Sequence, residues 1–284
     1  MRMNREQAAK LFAAATAGGY AIPHFNHSDF WDMSAIVEAA QELKAPIFIA
    51  CLPKVIDAIG IEKLGAVAKI TEKQSKTPIL YHLDHCHSVD TCFAAIDNGY
   101  NSVMIDASDC PLEENIETVK KVVRYAHARG VHVEAEVGHI KSAGNENADG
   151  TEGKTTVDDA RTLAEETGVD ALAVAFGSEH GFYTHKPNLD FELLRQVRKV
   201  VSIPLVLHGG TGIPEQDVRT AIDHGIRKVN VGTHIRCTYI SGIQEAIEKM
   251  GTQTHTADIM AFAKDKVKIV VKQWIKTCRA DGRV

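Results

Sequence analysis

Three histidines sit where an apolar, strand-like run gives way to a loop: His85 in YHLDH, His180 in GSEHG and His208 in VLHGG. If those runs are parallel strands that close into a barrel, their C-terminal ends meet at one mouth, and residues distant in sequence surround a single point. Three neutral imidazoles there make a zinc site with a coordination position left open for substrate. A histidine on its own is more often a satisfied core or surface group, which is the expectation for His24, His27, His127, His185, His224 and His255 among the 14 in the chain. His85, His180 and His208 differ in that all three finish strands on one barrel face. Cys86 and His87 are not counted as ligands, because consecutive residues leaving a strand point apart.

Carboxylates accompany the histidines. Side chains alternate along HLDH, so His82 and Asp84 share the face that points into the barrel and His85 follows where the strand ends. A carboxylate beside a metal ligand is placed to move a proton on a reacting hydroxyl, and Asp84 is the candidate; its other use would be to orient His85. The run VHVEAEVG carries His132, Glu134 and Glu136 on one face. Charge on the inner face of a barrel strand is costly unless paired or metal-bound, so this strand feeds a polar mouth. Glu136 and Asp106, the latter in MIDAS, are candidates for an alternative metal position; Glu134 lies deeper and is equally suited to structural hydrogen bonding. His208 opens HGGTG, and Asn230-Val231-Gly232-Thr233 ends a later strand. Glycine-rich backbone at those two places offers several N–H donors in a small volume, the usual phosphate cradle of such barrels.

The elements that must position these groups recur as a helix, a glycine and a short run rich in Val, Ile and Ala, around Gly99, Gly130, Gly168 and Gly225. Glycine just past a helix end supplies the left-handed turn back toward a sheet. With the runs after Gly19, Pro46, Pro78 and Pro204, eight strands are expected: Tyr20–Phe25, Pro46–Cys51, Ile79–Leu83, Ser102–Ile105, His132–Val137, Ala171–Ala175, Leu205–Leu207 and Lys228–Val231. Eight strands alternating with helices point to a single (β/α)₈ TIM barrel of α/β class spanning residues 1–284, with a doubly wound open sheet as the competing fold. Helices are expected over Glu113–Arg129 and over Val157–Thr167, the second capped by Thr156 with Asp159, and an additional C-terminal helix over Thr256–Cys278. The stretch 140–155, IKSAGNENADGTEGKT, is too polar to pack and follows the fifth strand at the presumed active face, so it reads as a mobile lid; a plain surface insertion is the alternative.

Composition excludes several classes. With 44% hydrophobic and 24% charged residues the chain can bury a sizeable core without staples. A net charge of -5, scattered basic residues and only 6% aromatics leave no footprint for nucleic acid. No run approaches the roughly 18 apolar residues of a membrane span, and MRMNREQAAK lacks the apolar stretch of a signal peptide, so a cytoplasmic location is expected. Six cysteines at irregular spacing, with no C-x-x-C, do not form a disulfide framework.

Taken in order, AIPHFN, HLDH, SVMIDAS, VEAEVG, GSEHG, LVLHGGTG and KVNVGT make the chain resemble the class II, metal-dependent ketose-bisphosphate aldolases, the family of the fructose- and tagatose-bisphosphate enzymes. The resemblance spans almost the whole chain. It implies zinc on His85, His180 and His208, a second or alternative metal position at Asp106 and Glu136, room for a monovalent cation, and Asp84 as the group that exchanges a proton with the aldehyde oxygen. It further implies that Asn26, Gly181, Gly209, Gly210, Thr211, Asn230, Val231, Gly232 and Thr233 hold dihydroxyacetone phosphate, released together with an aldehyde such as glyceraldehyde 3-phosphate. A homodimer or homotetramer acting on a small sugar phosphate is the implied assembly.

Departures from the family pattern cluster on the lid and the aldehyde side. HLDHC replaces HLDHG, so Cys86 stands where glycine is usual. The lid reads HIKSAGNENADG instead of Gly-Gly-x-Glu-Asp, so Glu146 or Asp149 would have to supply its acid. ACLPK follows the second strand, and His234 follows Asn-x-x-Thr. Two other functions compete with a zinc aldolase. A barrel metallohydrolase commonly carries H-x-H at the end of strand one, where this chain has HFNHSD; a non-catalytic sugar-phosphate binder on the same scaffold is compatible with the altered lid.

Overall fold

The computed structural model describes residues 3–140 and 153–284. Its centre is a closed barrel of eight strands in chain order, each pairing in parallel with the next and β8 pairing with β1. The strands are β1 (Ile22–Asn26), β2 (Ile47–Cys51), β3 (Ile79–Cys86), β4 (Ser102–Ile105), β5 (His132–Val137), β6 (Ala171–Val174), β7 (Leu205–Leu207) and β8 (Ile226–Val231). The doubly wound alternative is thereby excluded, since a closed ring has no edge strand. All eight expected strands form: β4, β5 and β7 have the expected bounds, and the other five differ by one to three residues at an end.

The largest shift is at β3, which runs three residues past Leu83. Its pairing with β4 slips between Leu83 and Cys86, and His85 adopts the left-handed conformation at φ 45. That conformation is uncommon for a residue with a Cβ and turns the imidazole inward at the strand's end.

Helices coat the barrel. In chain order they are α1 (Arg5–Gly18), α2 (Phe30–Leu43), α3 (Pro53–Ile59), α4 (Ile61–Gln74), α5 (Val89–Asn98), α6 (Leu112–His127), α7 (Val157–Thr167), α8 (Phe191–Val200), α9 (Glu215–Asp223), α10 (Thr233–Met250) and α11 (Thr256–Thr277). Asn4 caps α1 in a full capping box with Gln7, and Thr156 accepts the Asp159 N–H at the start of α7, as its sequence suggests. The expected C-terminal helix is α11, which packs along α2 and α10. At the four junction glycines φ is positive (Gly99 105, Gly130 69, Gly168 67, Gly225 110). At Gly99 the residue reverses the chain from helix to β4 in a conformation that a side chain would strain.

The inside of the barrel is unusual. TIM barrels are ordinarily filled with branched apolar side chains. Here His24, Phe48, His82, Ser102, His132, Glu134 and Lys228, from six different strands, are all essentially buried and converge on one another. Phe12 of α1 reaches this layer, its ring 5.5 Å from that of His132 and 5.9 Å from that of Phe48. Among the described residues no helix is long and apolar enough to cross a membrane.

Candidate functional site

At the C-terminal mouth of the barrel the three strand-end histidines come together. Ring centroids are 4.6 Å apart for His85 and His180, 4.5 Å for His85 and His208, and 5.9 Å for His180 and His208. One nitrogen from each lies within 4.8 Å of the other two. The far side of two rings is tied to a carboxylate: His85 Nδ1 is 2.8 Å from Asp106 Oδ2, and His208 Nε2 is 2.8 Å from Glu134 Oε1. Those contacts fix the tautomers so that His85 Nε2 and His208 Nδ1, themselves 2.8 Å apart, face the common centre. The donor set fits a zinc-type cation: three imidazoles, two of them carboxylate-backed, with one side open to a cavity.

Burial and charge tune the ligands differently. Burial, followed by the neighbouring His85 and His208, lowers the His180 pKa to about 3, which keeps that ring neutral. Burial also works against a charge on His85, but Asp84, Asp106 and Glu136 outweigh it and raise its pKa to about 9. A cation at the centre takes the place of the proton that those carboxylates otherwise favour.

Asp84 stands beside the cluster with its side chain 5% exposed. Its Oδ2 accepts from Asn26 Nδ2 at 2.8 Å, and its Oδ1 from Asn230 Nδ2 at 3.4 Å. Burial disfavours its charge, yet the imidazoles of His24 and His85 hold the carboxyl well below the usual range. The alternative use of Asp84, to orient His85, is filled by Asp106, whose second oxygen accepts from Ser108. Glu136 completes a second group with His85 and Asp106, their donor atoms also within 4.8 Å of one another. Its Oε1 accepts from Ser108 Oγ and the Ile140 N–H, its Oε2 has no partner, and burial followed by Asp106 pushes its pKa up to about 8.

The cavity over these groups has a volume of about 750 Å³. Asn26, Gly181, Gly209, Thr211, Asn230, Gly232 and Thr233 line it, as the sequence suggests. Gly210 and Val231 do not. The Gly210 N–H is spent on the Asn230 carbonyl, and the Val231 side chain is fully buried in the hydrophobic core. Gly232 precedes α10 and offers no side-chain cap; the His234 N–H is taken by Thr211 Oγ1 at 3.1 Å, and the rest of that first turn is left to meet an anion.

Gly209 is required by space as well as by its φ of 67: a Cβ would lie 2.1 Å from the Glu179 carbonyl oxygen. The carbonyl of Gly209 also accepts from Tyr183. Gly209→Ala is expected to lose about 1–3 kcal/mol of local stability from the conformation alone and to raise the KM for a phosphate-bearing substrate more than it lowers kcat, which steady-state kinetics would read directly.

Several participants carried no recognisable signal. Lys228 is fully buried, its Nζ 2.7 Å from Glu134 Oε2, so Glu134 bridges a lysine and the ligand His208. Read as part of a strand, Lys228 looks like an outward residue; only the closed barrel shows otherwise. Replacing it with Met would leave Glu134 as an uncompensated buried charge, and a loss of about 3–5 kcal/mol is expected in denaturant unfolding. Lys54 and Arg236 bring cations to the cavity wall next to Leu52, Val55, Ala58 and Ile59, and no ion pair holds either among the described residues. Glu146, Asp149 and most of the expected lid lie outside the described residues. The HFNHSD pair is split: His24 is inside the barrel, whereas His27 reaches the cavity wall and bonds Tyr81 at 2.7 Å.

Comparison with known proteins agrees with this architecture. The profile of the family "Fructose-bisphosphate aldolase class-II" matches residues 6–283. The crystal structure of the YdjI aldolase from Escherichia coli K12 superposes with a TM-score of 0.86 at 31% identity, covering 100% of this chain and 99% of that one. A protein of Coccidioides immitis, assigned as a fructose-1,6-biphosphate aldolase, gives 0.89 at 26% identity, covering 99% and 98%. The fructose-bisphosphate aldolase of Campylobacter jejuni, at 21% identity, a TM-score of 0.86 and coverage of 99% and 97%, shares the fold. With almost its entire length matched by the family profile, this chain belongs to the class II fructose-bisphosphate aldolases and is a carbon–carbon lyase.

Proposed function

We propose that the protein is a zinc-dependent aldolase that reversibly cleaves a ketose bisphosphate, of the fructose or tagatose 1,6-bisphosphate type, to dihydroxyacetone phosphate and glyceraldehyde 3-phosphate. The observation that carries this reading is the convergence of three imidazole nitrogens within 4.8 Å of one another beside Asp84, which is buried and held by Asn26 and Asn230.

His85, His180 and His208 would hold the cation, which supplies Lewis acidity toward developing negative charge on the carbonyl oxygen of the substrate. Asp84 takes the proton from the hydroxyl on carbon four as the bond between carbons three and four breaks. The electron pair of that bond stays with the dihydroxyacetone phosphate half, and the hydroxyl becomes the aldehyde carbonyl. Asn26 and Asn230 hold the Asp84 oxygens in place. Gly181, Gly209, Thr211, Gly232 and Thr233 present the wall against which the phosphate would rest, and the start of α10 faces it with partial positive charge. Asp106 and Glu136 are proposed as the alternative metal position, and Glu146 as the acid that returns a proton to carbon three.

A different aldehyde partner is the second reading. It is favoured by the four apolar residues, Leu52, Val55, Ala58 and Ile59, on the wall that also carries Lys54. A cleavage screen across stereoisomeric ketose mono- and bisphosphates, following release of dihydroxyacetone phosphate, separates the two. Preference for a fructose or tagatose bisphosphate supports the first reading, and preference for substrates without a terminal phosphate supports the second. Hydrolysis of an ester or amide panel without any aldol cleavage would overturn both.

A further inference from the structure

Behind the strand-end histidines, deeper in the barrel, lies a second convergence of ligand-type atoms. His24, His82 and Asp84 offer one donor atom each within 4.8 Å of one another. His24 Nε2 is 3.6 Å from Asp84 Oδ2, and the His24 and His82 rings meet edge to face at 5.4 Å. Both imidazoles are fully buried, yet neither nitrogen of His24 nor the Nε2 of His82 has a hydrogen-bond partner. A buried polar atom left unmet costs about 1–3 kcal/mol, so three at one place call for an occupant.

The donor chemistry says which. His82 Nδ1 is 2.7 Å from Ser102 Oγ, which can accept its N–H and so leaves a lone pair on Nε2. Burial, the largest influence, pushes the His24 pKa down to about 4 and that of His82 well below its ordinary value, so both rings are neutral. Asp84, when ionised, only accepts. Lone pairs from three groups can therefore face one space, and a Lewis-acidic cation satisfies them together. Among the charged groups acting on His24, Asp84 and Glu134 outnumber Lys228 by one, and the Lys228 charge is already matched at 2.7 Å by Glu134.

We propose that His24, His82 and Asp84 form a second divalent-cation site, of the zinc type, distinct from the one at His85, His180 and His208. Two nitrogens and one carboxylate oxygen suit zinc, with bonds of about 2.0–2.2 Å requiring only side-chain adjustment from the present spacing. Because Asp84 lines the cavity, the ion can reach the site from the mouth. A coordinated Asp84 cannot accept a proton, so filling this site inhibits cleavage. That consequence, unlike the binding itself, rests on the role proposed for Asp84 above.

Zinc titration of the metal-stripped full chain tests the site, with bound zinc counted after buffer exchange and crystals of the wild-type protein measured at the zinc absorption edge. The wild type should bind one equivalent more than His24→Leu, while Glu136→Gln keeps the extra equivalent and His180→Ala loses the other one. Excess zinc should lower wild-type turnover roughly tenfold or more and leave His24→Leu at the rate it shows with one equivalent. An anomalous peak among His24, His82 and Asp84 supports the proposal even if His24→Leu folds poorly. Equal zinc content in wild type and His24→Leu, or an anomalously silent water between the three groups, overturns it. A single equivalent lost only in His180→Ala overturns this site and leaves the proposed aldolase intact, whereas no zinc uptake by any protein overturns both.

Discussion

Stripping the protein with a strong chelator is expected to abolish aldol cleavage, and stoichiometric zinc to restore it. Without a cation the proton favoured on His85 is held between His85 Nε2 and His208 Nδ1, 2.8 Å apart, so charge developing on the substrate carbonyl oxygen has no comparable counterpart. Lewis-acid stabilisation is worth several kcal/mol, and each 1.36 kcal/mol is about tenfold in rate, so the loss should be roughly a thousandfold or greater. The complementary chemistry, a lysine Schiff base, is poorly served. Lys228 is locked to Glu134 inside the barrel, and Lys54, the lysine on the described cavity wall, is exposed at the rim. Borohydride added with substrate should therefore leave the polypeptide unlabelled by mass spectrometry. Cleavage that survives exhaustive chelation, or a borohydride adduct on either lysine, would refute the zinc mechanism. Among replacement ions, cobalt and zinc should serve better than magnesium, because imidazole nitrogen is a poor ligand for a hard cation.

Asp84→Ala is expected to lower kcat by about a hundredfold to ten-thousandfold, the range associated with a general acid–base group. The ion at the three strand-end histidines should stay. His85 takes its orienting hydrogen bond from Asp106 and His208 takes its own from Glu134, so Asp84 is not needed to hold either ring. The informative comparison is turnover against metal content in samples loaded with one equivalent of zinc. Lost turnover with metal retained assigns Asp84 to proton transfer; lost metal would make it a supporting group for the ligands. Asp84→Asn adds a check, since it keeps the contacts near Asn26 and Asn230 in size while removing the base, and it should be as inactive as Asp84→Ala.

The strand-end histidines were legible because a barrel converts a local pattern into a spatial one. Each sits at the end of an apolar run, and parallel closure carries all such ends to the same mouth. Most residues expected to hold phosphate line the cavity for the same reason, except Gly210 and Val231, whose backbone partner and core packing are set by neighbours distant in sequence. His24 shows the limit most clearly. One histidine among 14 reads as an ordinary satisfied side chain, yet here it lies inside the barrel with both nitrogens unmet.

What the residue order determined was the alternation of helix and strand, the eight-fold repeat and the identity of the groups at the strand ends, because periodicity, glycine junctions and helix caps act over a few residues. Only the tertiary structure decided which carboxylate serves which histidine: Asp106, not the adjacent Asp84, backs His85, and Glu134 links His208 to Lys228. Those pairings depend on distances across the barrel and on burial, which sum over all eight strands. No window of sequence contains that sum.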